Sequence, residues 1–139
     1  MPITGIATTH SEPGRPLGQT VTLAPRSYSP RTARKLVRSV GRDIGMDAAG
    51  IENTALLAGE LVTDRISATR RSVSVTVEPR DAGIAVRVHD ATHVSSAPRR
   101  TPSARCEQML RRFATSWGYA GDAQHLETWL LVRTPACDG

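Results

Sequence analysis

The sequence predicts an α+β two-layer domain, in which about three helices cover one face of a mixed, mainly antiparallel sheet. Apolar and polar residues alternate over 73–77 and again over 84–90, and one short turn separates the two segments, so both are predicted as strands that pair antiparallel. Apolar residues at helical spacing precede them over 29–45 and 47–66. Helices grouped beside hairpin-connected strands are typical of an α+β domain.

The first elements each have a local signal. Alternation over 19–24 predicts a short strand. Ser29 and Pro30 supply an N-cap and a first-turn proline for the first helix, and Gly45 ends it. The helix over 47–66 is apolar around most of its circumference, so it is predicted to be central and largely buried.

In the second half of the chain, glycines, prolines and polar segments mark the boundaries of the predicted elements. Residues 78–83 form a turn, 84–90 a strand and 91–102 a polar loop. A helix follows over 103–116. Gly118 and Gly121 then interrupt the chain before a last strand over 125–132.

Length and composition indicate one domain. At 139 residues the chain is long enough for a real core, which we place at 19–134, with tails at 1–18 and 135–139. No apolar run is long enough for a membrane helix, so cytoplasmic residence is the expectation. Cys106 and Cys137 have no metal-like spacing and are expected to be free thiols.

The basic charge is carried by arginine. The net charge is +5, and Lys35 is the only lysine among 18 basic residues. Pairs of arginines could meet an acidic protein or a nucleic acid. Since only 4% of residues are aromatic, base stacking has little support, and this composition argues against nucleic-acid binding.

Three acidic residues are candidates for chemistry. Glu60 and Asp64 are four residues apart, so their carboxylates share one face of a helix, where a cation or an arginine such as Arg65 would relieve their repulsion. Asp90 falls on the apolar side of its strand, where a carboxylate needs a donor; capping the following loop is the plainer alternative. Thr128 falls on the apolar side of the last strand.

Leu56 to Asp64 (LLAGELVTD), together with Val86 to Asp90 (VRVHD), resembles two ATP-site motifs of the histidine-kinase-type (GHKL, Bergerat-fold) ATPases. The branch it is similar to comprises small actinobacterial ATP-binding regulators related to anti-sigma-factor serine kinases. The resemblance implies that Glu60 is a catalytic base, Asp64 a magnesium ligand in place of the family's Asn, and Asp90 the reader of adenine. It also implies that Thr128 supports the adenine pocket.

The sequence departs from this family where the phosphates would be gripped. There is no glycine from Ile84 to Trp117, although the family has glycines after the aspartate and at the start of its third helix. Arg105 stands where the family arginine would stand, and Ser103 could N-cap the helix and leave an anion-friendly terminus. Binding of ATP and Mg²⁺ is therefore expected to be weakened.

Three functions stay open at this point. The first is a regulator of the anti-sigma-factor or partner-switching kind with a degenerate nucleotide site, which binds a partner protein and could form a homodimer. The second is an active ATP-dependent protein serine kinase of the same fold. The third is a basic nucleic-acid-binding module. Because phosphoryl transfer depends on positioned phosphates, the missing glycines favour the first.

Overall fold

A five-stranded sheet and three helices make up the part of the chain that our computed structural model describes, residues 18–90, 101–121 and 126–134. The sheet has the order β1-β2-β3-β5-β4, and all four pairings are antiparallel. The predicted α+β class is confirmed. In chain order the elements are β1 (Gln19–Leu23), α1 (Ser29–Asp43), α2 (Ala48–Thr69), β2 (Val73–Arg80), β3 (Gly83–Asp90), α3 (Ala104–Phe113), β4 (Ser116–Gly121) and β5 (Leu126–Arg133).

The inner face of the sheet is a ladder of branched apolar residues. Val75 lies opposite Val88, and Val86 lies opposite both Val77 and Leu130. All of them are at most 1% exposed. Because side chains alternate along a strand, this register places one whole face of the sheet against the helices and leaves the other to solvent.

The central helix is α2, as predicted. Asp47 caps it by accepting the backbone N–H of Gly50 at 2.8 Å, and Arg70 ends it in a left-handed conformation. It packs closely on α1, because a Cβ at Gly41 would lie 2.7 Å from Cγ1 of Ile51. Helix α2 therefore joins the other helices to the sheet and carries the acidic motif across the core.

Two predicted boundaries are wrong by a few residues. Helix α1 begins at Ser29 with Tyr28 as its N-cap, and the Ser29 hydroxyl donates instead to the carbonyl of Ala24 at 2.5 Å. Strand β2 continues through Pro79, which had been placed in the turn. Within the described residues β1 pairs with β2 only as far as Val77, so Pro79 lies beyond that ladder, where a missing N–H is tolerated.

Strand β4 is the element that the sequence prediction missed. Helix α3 ends at Phe113 rather than at 116, and residues 116–121 pair with β5 as an edge strand. Gly118, interpreted as a breaker, is within this strand. A Cβ there would lie 2.7 Å from Cζ2 of Trp129, so the glycine makes room for an indole ring on the neighbouring strand.

Several predictions lie outside the described residues. They include the tail at 135–139, residues 1–17 of the N-terminal tail, and most of the loop predicted over 91–102, of which only Thr101 and Pro102 are described. Cys137 also lies outside the described residues, whereas Cys106 is a buried thiol. The division into one domain with two tails stays a prediction.

Candidate functional site: the cleft between α2 and α3

Four of the six predicted site residues meet in a cleft between α2 and the N-terminus of α3. Glu60 and Asp64 come from α2, and Ser103 and Arg105 come from the start of α3. The cleft has a volume of about 370 Å³, within the size range of small-ligand sites. Among the described residues, Thr63, Ser67 and Cys106 also line it.

The carboxylate of Asp64 holds the first turn of α3. It is only 8% exposed, and its Oδ1 and Oδ2 accept the backbone N–H of Ser103 at 3.2 and 3.3 Å. The N-terminus of a helix carries partial positive charge, so a carboxylate is stabilised there. The Asp64 carboxylate therefore occupies the position at the N-terminus of α3 where a bound anion would lie.

Ser103 caps α3 as predicted. Its Oγ accepts the backbone N–H of Cys106 at 3.2 Å, while its own N–H donates to Asp64. Cys106 is 2% exposed and belongs to the core rather than to a reactive surface. The sequence predicted an anion-friendly N-terminus for α3. Two of its backbone N–H groups, those of Ser103 and Cys106, already donate to side chains of the protein.

The carboxylate of Glu60 is paired with α3 as well. Nε of Arg105 donates to Oε1 of Glu60 at 3.1 Å, and the two side chains are 77% and 22% exposed. A pair this exposed adds little stability because water screens it. The pair instead determines which groups are available to a ligand. Arg105, expected at the nucleotide site, contacts Glu60, the expected catalytic base.

Arg65 is a charged residue on the buried side of α2. The sequence offered it as a partner for the carboxylates of Glu60 and Asp64; its side chain is 1% exposed and has an interaction partner. Ala58, Leu61 and Arg65 recur at three- and four-residue spacing on the buried side of α2, and that spacing was the signal for its burial. A guanidinium fills part of the space between α2 and its neighbours.

The two expected adenine contacts are residues of the sheet, Thr128 on β5 and Asp90 at the end of β3. Thr128 is 1% exposed on the inner face, opposite Val88 and Tyr119, which confirms its predicted side of β5. The backbone of Asp90 is in register with Val73 at the end of β3, and its side chain lies outside the described residues. The role of each in reading adenine stays a prediction.

In the described part of the cleft, the donors at the start of α3 already have acceptors within the chain. Asp64 accepts the Ser103 N–H and Glu60 accepts from Arg105, so these donors face carboxylates of the chain itself. Two carboxylates would also repel a triphosphate unless a cation intervened. Within the described ranges, no group of three or more His, Cys, Asp or Glu side chains could hold a metal ion.

Comparison with known proteins connects this fold to solved structures. No protein-family model matches the sequence, and no curated protein matches it. The chain superposes on the crystal structure of the RsbU and RsbW domains of Rv1364c from Mycobacterium tuberculosis with a TM-score of 0.69 and 18% identity. The match covers 86% of this chain and 33% of that one.

The two share a fold. This likeness supports the α+β two-layer sandwich that the sequence predicted. The chain spans about a third of the matched protein, so the activity and partners of that whole protein are not transferred by the superposition. Across the described ranges, none of the helices has the length and apolar character to cross a membrane.

Proposed function

We propose that the chain is a regulator of the anti-sigma-factor or partner-switching type, in the family of small GHKL ATP-binding regulators, and that it acts mainly by binding a partner protein. One observation carries the proposal: both carboxylates of the ATP-site motif, Glu60 and Asp64, bind α3 of the same chain. The RsbW domain in the matched structure supports the choice of class.

The cleft favours holding α3 over holding a nucleotide. In this class of fold the third helix would approach the phosphates, and glycines would let its backbone come close. Here the first turn reads Ser103-Ala104-Arg105, and its N-terminal N–H donates to a carboxylate. The start of α3 is therefore fixed in the absence of a ligand, and it can serve as part of a preformed protein-binding surface.

An active ATP- and Mg²⁺-dependent serine kinase is the second candidate. It is favoured by the placement of Glu60 and Asp64 on one cleft wall, where a base and a magnesium ligand would be needed. Magnesium is commonly held by one or two carboxylates together with substrate phosphates, so Asp64 suits the ion chemically. For this function α3 would have to release both carboxylates.

Thermal unfolding with and without millimolar ATP and Mg²⁺ separates the two candidates. A ligand at 100 times its Kd adds about 2.7 kcal/mol to the folded state, which moves the Tm by several degrees. We expect ATP and Mg²⁺ to raise the Tm of the wild type by about 1 °C or less. Asp64→Asn should move further, because it removes a negative charge beside the triphosphate and weakens the hold on Ser103.

Two variants complete this test. Asp90→Ala should cancel any adenine-dependent shift in Tm in the Asp64→Asn background. If the shift persists in the double variant, Asp90 does not bind adenine. A large magnesium-dependent shift in the wild type would favour the kinase, and a phosphorylation assay would follow. Ala104→Gly restores a glycine at the start of α3 at an exposed position, whereas Cys106 is buried, and it should increase the ATP-dependent shift further in the Asp64→Asn background.

Partner binding is tested directly with purified proteins. Candidate sigma factors and their antagonists from the source organism should be titrated against the chain by biolayer interferometry, with Arg105→Glu as the surface variant and Arg31→Glu, exposed on α1, as its control. Loss of binding in the first variant alone supports the proposal. If no protein of either class binds, the proposal is wrong. Cytoplasmic residence is part of the same proposal.

A further inference from the structure

Strand β4 forms one edge of the sheet. Among the described residues it pairs with β5 alone, so the backbone N–H and C=O groups along its other side face no described strand. Its sequence, SWGYAG, contains no charged residue and no proline. Those are residues with which proteins commonly keep an edge strand from pairing with a further chain. The backbone of β4 is therefore suited to accept another extended segment.

The two faces of β4 carry different side chains. Trp117 and Tyr119 are in register with the buried Leu130 and Thr128, so they belong to the inner face, on which the helices pack. Tyr119 is 42% exposed, so part of this aromatic pair is uncovered at the margin of the sheet. The residues that alternate with them on the outer face are small: Ser116, Gly118 and Ala120. A strand added here would meet aromatic rings on one face and small residues on the other.

Two arginines in the last turn of α3 give this edge a positive charge. The guanidinium group of Arg111 lies over the ring of Trp117, 5.9 Å from the ring centroid. Arg111 also lies 3.6 Å from the carboxylate of Glu107, but its side chain is 68% exposed, so water screens that pair. Arg112 is exposed, and no carboxylate of the described residues pairs with it. Both arginines can therefore meet a carboxylate from outside the chain.

We propose that β4 binds an extended, acidic segment of another protein, which adds to the sheet as a further strand. In this mode of recognition, backbone hydrogen bonds give affinity and alternate side chains give specificity. Glutamates on the helix side would lay their stems along Trp117 and Tyr119 and reach Arg111 with their carboxylates. Apolar residues would lie on the other side. The edge is at the opposite end of α3 from the α2–α3 cleft, and the proposal does not depend on the function proposed above.

The aromatic residues are arranged for a peptide rather than for nucleic-acid bases. The rings of Trp117 and Tyr119 pack on each other, with centroids 6.4 Å apart and 24° between their planes. Arg111 lies over the ring of Trp117 as well. A base would need a free ring face on which to stack. The unpaired side of β4, by contrast, offers the donors and acceptors that a peptide backbone matches.

The probe for this site is a blocked octapeptide of alternating valine and glutamate. Isothermal titration calorimetry should give a Kd on the order of 10–100 µM, because so short a strand buries less than the area of a standard interface. The same peptide with lysine in place of glutamate should bind at least about tenfold more weakly, since like charges would face Arg111 and Arg112.

Hydrogen exchange resolved by NMR locates the bound peptide. In the free protein, alternate amides of 116–121 should exchange fast, because only the others can pair with β5. The fast amides should become protected when the valine–glutamate peptide binds. N-methylation of the peptide then tests the pairing itself. Methyl groups on the valine amides and those on the glutamate amides lie on opposite edges of an extended strand. One methylated peptide should therefore lose binding, while the other keeps it.

Charge reversal tests the contribution of α3. Arg111→Glu combined with Arg112→Glu should raise the Kd of the glutamate peptide at least about tenfold and make the lysine peptide the tighter ligand. The matched control is Arg70→Glu combined with Arg71→Glu, which makes the same change of charge at exposed positions next to β2, at the far side of the sheet. Since salt screens distant charges, its Kd should stay within about twofold of wild type at physiological ionic strength.

Three results would overturn the proposal. The first is a wild-type chain that does not bind the valine–glutamate peptide at millimolar concentration, or binds a single-stranded RNA octamer more tightly. The second is equal binding of the two methylated peptides, because pairing along one edge cannot tolerate both. The third is protection of every amide of 116–121 in the free protein, which would mean that the edge is already paired within the protein itself.

Discussion

Asp64 on α2 accepts the backbone N–H of Ser103 at 3.2 Å and so ties the N-cap of α3 to the acidic motif. A negative group at a helix N-terminus is stabilised by the N–H groups and by the helix dipole. In this chain the negative group comes from its own α2. A neutral amide at position 64 would therefore fill this structural role less well than the carboxylate does.

The first prediction concerns the stability that Asp64 provides. Asp64→Ala leaves the Ser103 N–H without its acceptor, and we expect a loss of about 2 kcal/mol in the free energy of unfolding. Asp64→Asn keeps one acceptor oxygen and should lose about 1 kcal/mol. Urea unfolding measures both. Asp43→Asn, at the exposed end of α1, should stay within about 0.5 kcal/mol of wild type. Equal values for Asp64→Ala and this control would contradict the assigned role.

Arg65 supports a larger prediction, because it is among the largest fully buried side chains of the described residues. Removing one partner of a buried ionic or hydrogen-bonded group strands the other and costs about 3–5 kcal/mol. Arg65→Ala should therefore destabilise the fold by about 3 kcal/mol or more, measured by urea unfolding. Arg70→Ala and Arg71→Ala, both exposed at the end of α2, are the controls and should each change it by less than about 0.5 kcal/mol. Similar losses in all three variants would show that burial of Arg65 has no energetic consequence.

The buried framework could be predicted because its periodicity is simple. The alternating valines of β2 and β3 and the nearly all-apolar α2 follow from the spacing of residues in the sequence. The N-cap of α3 at Ser103 was also predictable, since its residue type suits the role. Each of these signals lies within one element and needs no knowledge of its neighbours.

What could not be predicted depends on contacts between elements. Gly118 was interpreted as a breaker, because only the indole of Trp129 on another strand explains a glycine there. The burial of Arg65 was not predicted, because a charged residue is seldom buried, although its spacing matches the buried stripe. Likewise, the pairing of Glu60 with Arg105 joins residues that are 45 positions apart in the chain.

The contact between α1 and α2 gives a prediction about pH. Nε and Nη2 of Arg38 donate to the two carboxylate oxygens of Glu52 at 3.0 and 3.1 Å, and this hydrogen bonding lowers the pKa of Glu52 against an opposing effect of burial. When the pKa is lower in the folded state, the stabilisation is complete above the unfolded pKa of about 4.3 and is lost as pH falls through the folded value.

Thermal unfolding of wild type and Glu52→Gln tests this pH dependence. The variant should have the lower Tm at pH 7, and the two curves should converge as pH falls below about 4. Arg38→Met should show the same convergence, because it removes the other half of the pair. A difference in Tm between wild type and Glu52→Gln that persists unchanged at pH 3 would mean that the ion pair is not its cause.

The turn between β2 and β3 gives a prediction whose sign is opposite to the usual one. Ala82 has a φ of +58°, in the left-handed region, and it follows Asp81 in a two-residue turn closed by the pair Arg80 and Gly83. That conformation costs an L-residue about 1–2 kcal/mol and costs glycine almost nothing. Glycine loses about 0.5–1 kcal/mol more chain entropy on folding, so Ala82→Gly should stabilise the protein by about 0.5 kcal/mol.

The control for this prediction is the same exchange in regular structure. Ala68→Gly near the end of α2 has no positive φ to relieve and should cost about 0.5–1 kcal/mol in urea unfolding. The Ala82 carbonyl accepts the backbone N–H of Thr134 at 2.8 Å, a bond that glycine keeps. Opposite signs for the two variants would show that the left-handed turn stores strain in the wild type. Destabilisation by both would mean that the methyl group of Ala82 contributes more by packing than its φ costs.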